Sequence, residues 1–75
     1  MNEFRRAQLS ANMMVCNYTV RNLLSKIAVL EASVQVSAEE KFSAIKNIKD
    51  EITKVGTEID SIKKEITLLN SYNLN

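Results

Sequence analysis

Proline is absent from this 75-residue chain, and glycine occurs once, at Gly56. Without those two breakers there is almost no turn chemistry, which favours long helices. Histidine is absent too, which removes the commonest zinc ligand and the commonest general base. The single cysteine, Cys16, excludes an internal disulfide. Long apolar runs are missing: a stretch such as Met13–Cys16 is far short of the ~20 residues that span a bilayer. Neither sign of charge dominates. Ten Lys and Arg against nine Asp and Glu leave a net +1, which argues against a dedicated nucleic-acid binder with its strongly basic face.

These absences narrow the ways in which the chain can be stable. A domain this small buries only ~60% of the surface its unfolded form exposes. Disulfides, metals or association usually supply the rest. With no disulfide and no metal-ligand cluster, association is what remains, and no cofactor is expected. Arg5 and Arg6 are followed at once by Gln8, Ser10 and Asn12, so no signal peptide is read here. The expectation is a cytoplasmic protein with a reduced thiol.

What the sequence does have is periodicity. Ile45, Ile48, Ile52, Val55, Ile59, Ile62, Ile66 and Leu69 alternate in steps of three and four. That gives heptads with a at 45, 52, 59 and 66, and d at 48, 55, 62 and 69. In the first half Leu9, Met13, Cys16, Val20, Leu23, Ile27, Leu30 and Val34 follow the same alternation. Sustained a/d spacing of this kind is the sequence signature of coiled-coil packing.

The two series differ in phase. Continuing the first puts an a position at Lys41, whereas the second needs it at Ile45. Such an offset is either a stutter in one long helix or a break between two. Local chemistry favours the break. Ser37-Ala38-Glu39-Glu40 reads as a capping box, with Ser37 as N-cap and Glu40 reaching back to its amide. The two glutamates also suit the positive end of a helix dipole. The preceding Ser33-Val34-Gln35-Val36 has modest helix propensity. The predicted fold is an all-α, two-helix antiparallel coiled-coil hairpin in one domain. Helix 1 is expected over 2–32, a turn over 33–37, helix 2 over 38–70 and a frayed tail over 71–75. Gly56-Thr57-Glu58 offers a second possible interruption, but the isoleucine heptads run straight through it, at a cost of ~1 kcal/mol relative to alanine.

Away from the seams the helices diverge. The outer face of helix 2 is polar throughout, from Lys46 and Asn47 to Lys64 and Thr67. Asp50–Lys54 and Asp60–Lys64 are expected as i,i+4 ion pairs, worth a few tenths of a kcal/mol each. Helix 1 instead carries a second stripe at its c and f positions: Ala11, Val15, Tyr18, Asn22, Ser25, Val29 and Ala32. Met14, Leu24 and Ala28 add to its apolar content outside the seam. A helix apolar on two sides is usually covered on two sides, so the stripe is read as a partner or oligomer contact with Tyr18 as its aromatic anchor. Isoleucine at both a and d suits bundles of three or four helices. A hairpin dimer with helix 1 central satisfies that preference, and so does docking onto a foreign helix.

Candidate chemistry is sparse. Cys16 occupies a d position, where cysteine acts as a small core hydrophobe. Asn17-Tyr18-Thr19 matches a glycosylation pattern, a weak three-residue match. Arg5, Arg6, Arg21 and Lys26 form a basic edge diluted by Glu3 and Glu31. Catalysis needs a cleft holding groups with shifted pKa values, and two helices enclose none, so no enzyme is expected. The functional expectation is a non-enzymatic interaction module (an adaptor, inhibitor or small chaperone) that binds a protein partner through a helix face. A self-assembling structural coiled coil and an RNA-binding dimeric hairpin are the alternatives. No membrane association is expected.

Overall fold

A computed structural model, describing residues 2–73, shows two helices, α1 (Asn2–Ala32) and α2 (Ala38–Asn73). They run antiparallel as a hairpin: Arg5 near the start of α1 meets Glu65 near the end of α2, and Glu31 meets Lys41 beside the turn. The rod measures 58 × 15 × 13 Å, and its radius of gyration of 17.2 Å is well above the ~11 Å of a compact chain of this length. One continuous helix, the alternative left by the phase offset, is not adopted.

The reversal lies at 33–37, where the β-branched stretch predicts it. The Ser33 amide donates to the Leu30 carbonyl at 3.2 Å, closing the last turn of α1. Ser37 caps α2: its Oγ accepts from the Glu40 amide at 3.2 Å, and its carbonyl accepts from the Lys41 amide at 2.9 Å. This is the Ser37 half of the expected box; among the described hydrogen bonds the return from Glu40 to the Ser37 amide is not made. Lys41 closes the other side of the turn. α1 has no basic residue in its last turn, and the Lys41 ammonium donates to the Glu31 carbonyl at 3.4 Å. A cation from α2 thus sits at the negative end of the α1 dipole.

Val34 keeps the heptad step but lies in the expected turn: it is 95% exposed, while Val36 is half-buried, because the chain leaves the helix after Ala32 and the heptad phase ends with it. Two local expectations need correction. α2 runs on to Asn73, past the expected end at 70; nothing before Asn73 breaks a helix, and positions 74 and 75 of the expected tail lie outside the described residues. Finally, neither Asp50–Lys54 nor Asp60–Lys64 forms among the described residues. Lys54 lies 4.0 Å from Glu51 instead, and that pair is largely exposed. Solvent competes with all of these surface pairs, so little stability depends on which one closes.

The seam follows the heptads. Leu9 (2% exposed) and Cys16 (7%) are buried. Met13, Val20, Leu23, Ile27 and Leu30 on α1 are half-buried, as are Ile45, Ile48, Ile52, Val55, Ile59, Ile62, Ile66 and Leu69 on α2. Two helices cover each other's ridge from one direction only, which is why the row is shielded without being enclosed. Gly56 lies within unbroken helix, and a Cβ there would meet nothing within 4 Å. Gly56→Ala should therefore stabilise the hairpin by ~1 kcal/mol and raise its thermal midpoint by about 4–8 °C. A fall in the midpoint on calorimetry would show that a second backbone comes close at this position.

Candidate interaction surface

All seven residues of the second stripe, Ala11, Val15, Tyr18, Asn22, Ser25, Val29 and Ala32, are exposed on α1. The a/d rows of α1 turn towards α2, so by helical geometry its f row lies on the far side and its c row on the flank beside it. Tyr18 and Val15 are each 65% exposed, and Val29 69%. The stripe carries no charge. Ser25 is also less polar than its formula: its hydroxyl donates back to the Arg21 carbonyl at 3.1 Å, a bond within the helix that leaves its donor satisfied.

The stripe does not stand apart from α2. Two shallow grooves, open to solvent, lie between the helices along one flank. In the first, Asn12, Val15 and Cys16 face Thr57, Glu58 and Ile62. In the second, Asn22, Ser25, Lys26 and Val29 border Leu30 and Ile48. Val15, Asn22 and Val29, the c row, thus form the shoulder of a trough whose floor is the hairpin seam. The g positions of α2, Glu51, Glu58 and Glu65, edge this flank.

Several exposed apolar residues were not singled out as contacts from sequence. Phe4 (71% exposed) lies one heptad before Ala11 on the f row and extends the stripe towards the N-terminus. The row itself signals it. Phe42, on the opposite flank, borders a groove with Glu31, Ile45 and Lys46, and Leu68 stands out near the end of α2. Single exposed apolar residues of this kind are ordinary on proteins.

The basic edge expected on α1 is partly consumed within the hairpin. The Arg5 guanidinium forms a fork on Glu65, with the Nη2–Oε1 contact at 3.0 Å, and also reaches Gln8. The hydrogen bond to Arg5 holds the Glu65 carboxyl below its ordinary pKa, and the same bond raises that of Arg5. Arg6 stands at an a position, is half-buried, and has its Nε buried with no hydrogen-bond partner.

Cys16 is chemically quiet. Its Sγ donates to Glu58 Oε2 at 3.6 Å. Burial, then the bond to Glu58 and its negative charge, push the thiol pKa up, the opposite of what a nucleophile needs. Among the described residues no group of His, Cys, Asp or Glu is placed to hold a metal ion, and no helix is long and apolar enough to cross a membrane.

Fold and surface together define the class: an all-α coiled-coil hairpin with one helix left partly uncovered. Compared with known proteins, the chain matches no family model, no curated protein and no solved structure.

Proposed function

We propose that this chain is a small non-enzymatic protein–protein interaction module, of adaptor, inhibitor or small-chaperone type. It binds its partner through the second stripe of α1 in the manner of a helix completing a bundle. The observation that carries this reading is the pairing of a regular, uncharged, exposed stripe with a helix whose opposite rows already face α2. A cytoplasmic setting belongs to the same proposal, because the one thiol is unpaired and buried, as suits a reducing compartment.

The test is the triple variant Val15→Gln, Tyr18→Gln, Val29→Gln. All three side chains are exposed, so helicity by circular dichroism should be unchanged. Crosslinking followed by mass spectrometry should show protein contacts of the wild-type chain, to itself or to another protein, reduced at least ~10-fold in the variant. Survival of every such contact would leave the stripe without a role. A second reading, in which assembly is itself the function, draws on the extent of exposed surface: 5977 Å², against about 4,700 Å² for a compact monomer of 8.5 kDa.

A further inference from the structure

We infer that the occupant of the α1 stripe is a second copy of this chain, laid antiparallel across a two-fold axis at Asn22; this deepens, and rests on, the reading of the stripe as a contact surface. The argument starts from the order of residues. Read from its two ends, the stripe is nearly a palindrome: Ala11 answers Ala32, Val15 answers Val29, Tyr18 answers Ser25, and Asn22 answers itself. A two-fold interface uses the same patch twice, so residue i meets j while j meets i. Antiparallel pairing of two α1 helices about Asn22 therefore sets small against small at the ends and valine against valine inside them. Tyr18 then lies over Ser25, a large side chain over a small one whose hydroxyl is already satisfied.

Asn22 falls on the axis. A carboxamide both donates and accepts, so the two Asn22 side chains can bond to each other. A polar residue in that place fixes register at some cost in stability.

The flank of the hairpin adds charge complementarity. Val15, Asn22 and Val29 shoulder the grooves between α1 and α2, so the copy's α1 lies along that trough and forms a four-helix bundle with the two α1 helices central. In this register Lys26 of the copy comes beside Thr19, and carrying the Arg5–Glu65 pairing two heptads along the same rows sets Thr19 opposite Glu51. Lys26 borders the groove, and the contact of Glu51 to Lys54 is at 4.0 Å and exposed. Lys26 to Glu51 is accordingly an ion pair that forms twice per dimer.

Surface is available for such a contact: the elongated chain exposes about 1,300 Å² more than a compact monomer of its mass, and a stable interface takes about 800 Å² from each partner.

The experiment is sedimentation equilibrium on the full chain, with four variants. The wild type should sediment near 17 kDa, twice the 8.5 kDa chain. Val15→Glu should weaken the dimer at least ~100-fold with helicity retained. Lys26→Glu and Glu51→Lys should each weaken it, and their combination should restore it, a rescue that mere loss of folding would not give. Asn22→Cys in a Cys16→Ala background should crosslink to a symmetric disulfide dimer under mild oxidation. A chain that stays at 8.5 kDa through the millimolar range overturns the proposal. So does a dimer indifferent to Val15→Glu, or one in which Asn22→Cys does not crosslink. If the chain is monomeric yet the triple stripe variant still loses contact with a different protein, the second copy is wrong and the interaction module stands.

Discussion

Leu9→Ala is expected to destabilise the hairpin by about 2–4 kcal/mol and to lower its thermal midpoint by at least ~10 °C. Leu9 is the most completely buried side chain among the described residues, at 2% exposure. Most of the other apolar seam residues are only half-buried, so no dense core is available to absorb the loss. A chain of this length has a total stability of only about 4–11 kcal/mol, and the substitution removes a large share of it. Leu68→Ala is the control: Leu68 is exposed, and its truncation should stay within ~0.5 kcal/mol. Urea unfolding followed by circular dichroism makes the comparison. Equal midpoints for the two variants would mean that the open end of the hairpin is not packed as described.

The second large effect concerns Cys16. In the folded chain its reaction with a disulfide reagent should be at least ~100-fold slower than in denaturant at the same pH, since the reagent must wait for opening of the seam. Burial, reinforced by the Glu58 carboxylate, also raises the thiol pKa, so the folded state holds this proton where the unfolded state, near ~8.5, releases it. The sign follows. Cys16 contributes stability that is fully present below the unfolded value and is lost as pH rises through the raised one. Glu58→Gln removes the negative charge and should bring the thiol pKa down, speeding the reaction. Equal rates in folded and unfolded chain, or slower reaction in Glu58→Gln, would contradict this placement of the thiol.

Much of this architecture is legible from residue spacing. The a/d series locate both seams, their phase offset locates the turn, and Ser37 marks the start of α2. The c/f stripe is legible for the same reason, because helical periodicity fixes which side chains share a face before any fold is known. Other features depend on how the two helices slide against each other, which no single-helix pattern encodes. Arg5 finds Glu65, and Cys16 finds Glu58, only once the antiparallel register is set. Val34 keeps the heptad step but not the helix, so periodicity alone would misplace it, and it is the turn over 33–37 that explains its exposure. Arg6 sits in the a row, yet its charge hides it from a search for apolar repeats.

The bend has a consequence for how the chain tolerates change. Among the described residues none adopts a positive φ and no peptide bond is cis, so 33–37 makes no demand that only glycine or proline meets. The reversal is enforced by the two rods clasping each other. Insertions there should be accommodated cheaply, since doubling a flexible loop costs only ~0.6 kcal/mol in closure entropy. The conformational instruction to fold back is thus spread along the whole molecule, and apart from the Ser37 cap of α2 its connecting segment is free to vary in length and sequence.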